Sequence, residues 1–122
     1  SPMHWDEATY TAAIPRYRSQ TEARYAAVLE EEKRTGLILD YWYEPIKGLY
    51  LAPKTTYTPD FLVQVWQSPD HHTLVFHEVK GPFIREKDLI KAKVAARLYP
   101  CFRFLLVQWT GDEWTWQLIP NA

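Results

Sequence analysis

Apolar residues in the first part of the chain recur at the three- to four-residue spacing of a helix. Ser19 is a good N-cap, Glu22 three residues later completes a capping-box pattern, and Gly36 is a natural stop. The pattern therefore predicts a helix over 19–34. Glu22 lies within its apolar stripe rather than opposite it, and the other members of that stripe are Tyr25, Ala26 and Leu29.

Beyond Gly36 the apolar residues come in short runs bounded by Gly, Pro, Ser and Asp, which is typical of strands. Residues 53–56 are predicted to form a loop, and a second helix is predicted over 86–98, ending before Pro100. The predicted strands cover 39–44, 48–52, 61–67, 73–80, 102–109 and 114–119, with turns at 68–70 and 110–112.

This order of elements predicts an α/β or α+β domain in which helices flank a mixed central sheet. Residues 1–18 show no steady period and are predicted to be an N-terminal arm, in which Ser1-Pro2 resembles a cloning remnant. Residues 19–122 then form a single domain, because no linker, repeat or low-complexity tract interrupts them.

Composition narrows the possibilities mainly by exclusion. The single cysteine, Cys101, rules out an internal disulfide and a multi-cysteine zinc site, and we expect it to be a buried structural thiol in a reducing cytosol. No apolar run approaches the ~20 residues that span a bilayer, so no membrane partner is expected. The net charge of -1 is not that of a strongly basic protein, although clustered Lys and Arg residues leave room for a local basic face.

Three charged residues stand at the ends of two adjacent predicted strands. If the hairpin is centred on Pro69, Asp60 lies opposite Glu78, and Lys80 shares a face with Glu78 because side chains alternate along a strand. Directly opposed Cβ atoms are about 4.5–5.5 Å apart. Two carboxylates and an ammonium group should therefore converge at one end of an apolar face.

Carboxylates this close repel each other unless a positive charge lies between them. Mg²⁺, for which Mn²⁺ should substitute, prefers such hard oxygen ligands, and the Val79 carbonyl could add another. Lys80 would then hold or activate the attacking water, or neutralise charge on a phosphate. An ordinary alternative is a turn-capping Asp60 and an edge-strand pair of Glu78 with Lys80, but it does not explain their convergence.

The stretches "YTPDF" (57–61) and "EVKG" (78–81) resemble the PD-(D/E)XK nuclease signature, in the form seen in small phage and prophage endonucleases related to phage junction resolvases. The resemblance implies a restriction-endonuclease-like core and metal-dependent hydrolysis of DNA. It assigns Asp60 and Glu78 as catalytic metal ligands and Lys80 as the catalytic amine. It further implies a homodimer acting on branched or double-stranded DNA in the cytosol of a bacterial host.

Families of this kind often add a glutamate from the first helix to the metal site. Glu22 is the matching position, and the sequence leaves open whether it is a metal ligand or only a capping-box residue. Among the basic residues, Lys91, Lys93 and Lys54 are candidates for DNA contacts, while Lys87 is expected to lie on a solvated helix face.

Two other functions share these sequence features. A non-catalytic DNA-binding or assembly module could retain the fold, and a nuclease for single strands or RNA could use the same site. The three histidines His71, His72 and His77 are not expected to bind metal, because neighbouring strand residues point to opposite faces. We expect Trp109, Trp114 and Trp116 to pack within the protein rather than to stack on bases.

Overall fold

A computed structural model describes residues 16–122, and its regular elements follow the predicted order closely. They form one small α+β domain, which confirms the prediction of a mixed sheet between two helices. The helices are α1 (Gln20–Thr35) and α2 (Ile90–Leu98), and a 3₁₀ turn over Glu86–Leu89 leads into α2. The strands are β1 (Ile38–Tyr43), β2 (Leu49–Ala52), β3 (Thr55–Tyr57), β4 (Phe61–Ser68), β5 (His71–Lys80), β6 (Arg103–Trp109) and β7 (Trp114–Ile119).

Five strands form the main sheet in the order β1-β4-β5-β6-β7, and β2 and β3 pair separately. Neighbouring strands are antiparallel except β5 and β6, which are parallel because the chain crosses over through α2 between them. In the β4–β5 hairpin, Leu62 pairs with Phe76 and Phe61 pairs with His77, which is the predicted register. This register places Asp60 and Glu78 next to each other at the end of the hairpin.

Each face of the sheet has its own helix. On one face, α1 buries Tyr25 and Leu29 against Phe61, and all three are fully inaccessible to solvent. On the other, α2 packs Ala95 against the layer that contains Phe76. Burying an aromatic or branched side chain of this size contributes roughly 1.5–3 kcal/mol. The charged residues at the end of β5 are therefore held on a sheet that is packed on both sides.

Helix α1 is defined at both ends by local hydrogen bonds. The Ser19 hydroxyl accepts a hydrogen bond from the Glu22 amide at 3.1 Å, as an N-cap should. Gly36 ends the helix with a left-handed φ of 85°, and its amide donates to the carbonyls of Glu32 and Lys33. These contacts fix where α1 begins, and Glu22 lies in that first turn.

Two local predictions were wrong. Residues Thr55–Tyr57 form strand β3 rather than a loop, because Lys54 adopts a left-handed φ of 59° that lets the chain reverse and pair with β2. Cys101 is exposed rather than buried, because it lies in the turn before β6 and not on either packed face. Most of the predicted arm, with Ser1-Pro2, falls outside the described residues.

The described end of the arm packs against the sheet. The Tyr17 ring meets the Tyr43 ring edge-on, with centroids 4.7 Å apart, and the Arg18 guanidinium lies 3.0 Å from a Glu44 carboxylate oxygen. Residues 16–18 of the predicted arm are thus packed against the domain. No helix within residues 16–122 is long and apolar enough to cross a membrane.

A chain of hydrogen bonds ties α1 to β5 and β7, in which Tyr25 and His77 are buried, whereas Trp116 is exposed rather than packed within the protein as predicted. The Trp116 indole N–H donates to the Tyr25 hydroxyl at 2.9 Å, and that hydroxyl lies 2.8 Å from His77 Nδ1. Because an indole can only donate, the Tyr25 hydroxyl accepts from Trp116 and keeps its own proton available for His77 Nδ1 in the tautomer protonated on Nε2. Burial lowers the pKa of His77 to about 4, so the ring is neutral at neutral pH.

This chain predicts a clear loss of stability for Tyr25→Phe. The substitution keeps the ring and removes the hydroxyl, which leaves Trp116 without an acceptor and His77 without a donor. We expect the free energy of unfolding, measured by urea denaturation, to fall by about 1–3 kcal/mol. Tyr50→Phe, at an exposed tyrosine, is the matched control and should change it by less than about 0.5 kcal/mol. Equal stabilities for the two variants would contradict the predicted role of the network.

Candidate functional site

Asp60 and Glu78 meet at the end of the β4–β5 hairpin. Asp60 directly precedes β4, and Glu78 is the third residue from the end of β5. The register places their carboxyl groups close together, so that the charge and hydrogen bonding of Glu78 raise the pKa of Asp60, and Glu78 is buried. The structure thus brings together the two carboxylates that the hairpin register predicted to converge.

The backbone around Asp60 holds its carboxylate in place. One carboxylate oxygen accepts a hydrogen bond from the Val79 amide at 2.7 Å, and the Asp60 carbonyl accepts one from the Glu44 amide at 2.8 Å. The side chain is therefore anchored to β5, beside Glu78. The observed polar contact of Val79 uses its amide; the predicted role of its carbonyl as a metal ligand stays a prediction.

Tyr57 orients the second carboxylate. It lies at the end of β3, is buried, and donates its hydroxyl to a Glu78 carboxylate oxygen at 3.1 Å. Burial, followed by the charges of Glu78 and Asp60, raises the pKa of Tyr57 well above its ordinary range, so the hydroxyl stays protonated and remains a donor. Tyr57 is thus a neutral partner that fixes Glu78 without cancelling its charge.

Glu22 lies near the pair and serves the helix as well. One of its carboxylate oxygens accepts from the Ser19 hydroxyl at 3.1 Å and the other accepts from the Tyr43 hydroxyl at 2.8 Å. Burial and, after it, the charge of Asp60 raise the pKa of Glu22. Glu22 thus bonds the Ser19 hydroxyl and not the Ser19 amide that a capping box requires, and its role as a metal ligand stays a prediction.

Lys80, the last residue of β5, is half-buried on the same face as Glu78. Its positive charge lowers the pKa of Asp60, which places the ammonium near the carboxyl pair. The next residue, Gly81, approaches the first turn of α1, since a Cβ added there would lie 3.9 Å from the Thr21 hydroxyl. The end of β5, the start of β4 and the first turn of α1 therefore meet at one corner of the domain, which contains Lys80, Asp60 and Glu22.

The electrostatics of this corner are unfavourable for two bare carboxylates. Burial raises the pKa of Asp60 far above its ordinary value, and the charge and hydrogen bond of Glu78 raise it further. The Val79 amide and Lys80 act in the opposite direction but do not cancel the shift. The pair therefore needs either a shared proton or a bound cation.

The donor set suits a small, hard cation. Within residues 16–122 no group of three or more His, Cys, Asp and Glu side chains has the arrangement of a protein-only metal site. Mg²⁺ does not require one, since it commonly takes one or two carboxylates and completes its shell with water and substrate phosphate. Asp60 and Glu78 would hold such an ion, whereas Glu22 does not form a group of three ligands with them in this structure.

The predicted DNA-contacting lysines lie on the side of the sheet that α2 covers. Lys91 is exposed on α2, and Lys54 is exposed in the turn between β2 and β3. Lys93 is exposed but forms an ion pair with Glu86, with 3.2 Å between Nζ and Oε1. Lys91 and Lys54 are thus the more available of the three, and their contact with DNA stays a prediction.

Sequence patterns did not identify the residues that support the carboxylates. Tyr57 and Tyr43 donate to Glu78 and Glu22 across 21 residues of chain each, and Gln108, paired with Lys80 across β5 and β6, holds the loop that follows. Such long-range partners leave no local signal. For Tyr57 alone, its place three residues before Asp60 was a clue.

The hollows in the surface lie elsewhere. One of about 360 Å³ is formed by α2 and the C-terminal residues, lined by Lys93, Val94, Arg97 and residues 119–122. It contains neither Asp60 nor Glu78. The carboxyl pair instead lies at one end of the interior strands β4 and β5, where Glu78 is buried and Asp60 is half-buried.

The strain of the carboxyl pair predicts that Asp60→Asn stabilises the protein. Asp60 binds its proton more tightly when folded than when unfolded, so wild-type stability should decline as the pH rises above about 4. The amide keeps an oxygen for the Val79 N–H and removes the charge. Without divalent cations, we expect the free energy of unfolding of the variant to exceed that of wild type by about 0.5–2 kcal/mol at pH 8. The difference should be smaller near pH 4.

The control for this experiment is Asp70→Asn, in the exposed turn at the other end of the same hairpin, which should leave stability nearly unchanged. Comparing variant with wild type at each pH cancels the contribution of His77, which titrates in both. An Asp60→Asn protein that is less stable than wild type at pH 8 would contradict the repulsion described here.

Comparisons with known proteins return no match: no family model, no curated protein and no solved structure matches this chain.

Proposed function

We propose that this protein is a Mg²⁺-dependent endonuclease of the PD-(D/E)XK type that hydrolyses phosphodiester bonds in DNA. The observation that carries the proposal is the contact between Asp60 and Glu78 at the end of a hairpin, with Lys80 beside them. A structural role alone does not account for this arrangement, because the buried Glu78 and the half-buried Asp60 repel each other when both are charged, which opposes folding.

Asp60 and Glu78 bind the cation in this proposal. When bound, Mg²⁺ neutralises charge on the phosphate and lowers the pKa of water. The Val79 amide and the Tyr57 hydroxyl hold the two carboxylates so that little reorganisation is needed on binding. Tyr57 therefore acts as a positioning residue, one step removed from the reacting atoms.

Lys80 supplies the positive charge on the protein side. Its ammonium donates to the attacking water, or to the phosphate oxygen on which negative charge builds during hydrolysis. The half-buried position supports this role, because a charge partly removed from solvent acts more strongly on its neighbours.

The fold also supports the proposal. The five-stranded mixed sheet with α1 on one face and α2 on the other agrees with the restriction-endonuclease-like core that the resemblance implies. A domain of this size offers little surface for gripping a duplex, so we propose a homodimer that presents two sites to double-stranded or branched DNA in a bacterial cytosol. A nuclease for single strands or RNA and a non-catalytic DNA-binding module remain the alternatives.

The direct test is cleavage of supercoiled plasmid and of branched DNA with Mg²⁺ or Mn²⁺. We expect wild-type protein to nick DNA and to lose activity in EDTA. Asp60→Asn and Lys80→Ala should each lower the rate by at least about 100-fold, because each removes a charge that acts on the reacting phosphate. Lys87→Ala, at an exposed lysine of the 3₁₀ turn, is the matched charge-loss control and should retain most activity.

The same preparation distinguishes the alternatives. Binding of DNA without cleavage, unchanged in Asp60→Asn and Lys80→Ala, would favour the module over the enzyme. Labelled junction, duplex, single-strand and RNA substrates identify the preferred nucleic acid. Mg²⁺ should also raise the melting temperature of wild-type protein but not of Asp60→Asn, because a ligand of the folded state stabilises it.

A pair of variants separates the two roles of Glu22. Ser19→Ala removes the helix cap and keeps the carboxylate, so it should cost about 1 kcal/mol of stability and leave Mg²⁺ affinity nearly unchanged. Glu22→Gln keeps a polar side chain for the Ser19 and Tyr43 hydroxyls and removes the charge. If Glu22 contributes to the metal site, calorimetry should show Mg²⁺ binding weakened about 10-fold or more in Glu22→Gln. Equal Mg²⁺ affinity in both variants would leave Glu22 as a cap only.

A further inference from the structure

The loop that follows the proposed catalytic strand displays an aromatic ring to solvent. Phe83, three residues after Lys80, is 95 % exposed, more than any other large apolar residue described. Single exposed apolar residues are common on protein surfaces, so exposure alone carries no meaning. What distinguishes Phe83 is how firmly its backbone is held and what surrounds it.

The loop is anchored on both sides of Phe83. Gln108 donates its side-chain amide to the Gly81 carbonyl at 3.2 Å and to the Pro82 carbonyl at 3.4 Å. On the other side, Ile84 packs onto the hydrophobic layer under α2. None of these anchoring contacts involves the Phe83 ring.

A second anchor closes the loop at its far end. Arg85 and Asp88 form a reciprocal cap, in which the Arg85 amide donates to an Asp88 carboxylate oxygen at 3.2 Å and the Asp88 amide donates to the Arg85 carbonyl at 2.9 Å. Proline at position 82 further restricts the backbone. A ring on such a rigid support loses little conformational entropy when it binds a partner.

Basic residues outnumber acidic ones in the chain around Phe83. Lys80 precedes it, and the exposed Arg85, Lys87 and Lys91 follow within eight residues, together with Glu86 and with Asp88, which pairs with Arg85. A flat apolar ring flanked by cations is the combination that binds single-stranded nucleic acid, in which bases stack on aromatic faces while cations contact phosphates. A fully paired duplex offers no free base face to such a ring.

We infer that Phe83 is a stacking platform for an unpaired base of the nucleic-acid substrate, near the scissile phosphate. The five residues of chain from Glu78 to Phe83 span at most about 18 Å, so the stacked base lies within about five nucleotides of the bond at the carboxyl pair. This inference rests on the proposed function, which makes the phosphodiester bond at the carboxyl pair the one that is cleaved. It makes the substrate class DNA with unpaired bases, such as a branch, flap or bulge, rather than uninterrupted duplex.

The test measures stacking directly in an Asp60→Asn background, so that cleavage does not interfere. The probes are a flap carrying 2-aminopurine near the branch point and a fully paired duplex of the same sequence. We expect 2-aminopurine fluorescence to be quenched by the parent protein and by Phe83→Trp. Phe83→Ala should abolish the quenching and weaken flap binding about 5- to 100-fold, while duplex binding changes less than about 2-fold.

Two further variants sharpen the test. Phe83→Leu keeps apolar surface without the ring face and should behave like Phe83→Ala. Trp66→Ala removes an exposed aromatic from the far end of the same hairpin and should leave flap binding unchanged. Flap binding and quenching that are equal in Phe83→Ala and the parent would overturn the inference, even if wild-type protein cleaves DNA.

The remaining outcomes separate this inference from the proposed nuclease activity. Quenching that depends on Phe83, without cleavage by wild-type protein, would sustain base stacking and reject the nuclease. A Phe83→Ala protein that changes its oligomeric state in sedimentation, with unchanged flap binding, would assign the ring to a protein contact and overturn the inference. Absence of nucleic-acid binding in every variant would overturn both.

Discussion

The contact between the Asp60 and Glu78 carboxyl groups is the constraint on which this corner of the molecule depends. The buried Glu78 and the half-buried Asp60 repel each other when both are charged, so each needs partners that hold it without removing its charge. The Val79 amide and the Tyr57 hydroxyl are such partners, and Lys80 offsets part of the charge. The rest of the fold thus stabilises a local arrangement that is unfavourable by itself.

The corner is held rigid because two neighbouring residues of β5, His77 and Glu78, point to opposite faces of the sheet. Glu78 points to the side of the sheet covered by α2, whereas His77 points to α1 and contacts the Tyr25 hydroxyl at 2.8 Å. Strand β5 is therefore tied to α1 immediately next to the carboxyl pair. The first turn of α1 carries Glu22, so the same tie also fixes the third carboxylate relative to Asp60.

Much of this arrangement could be predicted from local patterns. The hairpin register followed from a turn at Pro69 and from strict alternation, which together placed Asp60 opposite Glu78. Strand β3 was missed, because three residues are too few to show a period. Cys101 was predicted buried from the average behaviour of its residue type, which a turn position overrides. The hydroxyl donors Tyr43 and Tyr57 could not be assigned, because their contacts exist only once distant strands are assembled.

In the loop after β5, the residues that hold the backbone in place are different from the residue that is exposed to solvent. Its anchors are the Gln108 amide, the packed Ile84 side chain and the cap between Arg85 and Asp88. These contacts fix the backbone without using the ring of Phe83. A residue that adds nothing to the core is free to be chosen for what it meets outside the protein. The stability of the fold therefore does not explain an aromatic ring at that position, and the stacking proposed above accounts for it through the chemistry of a ligand.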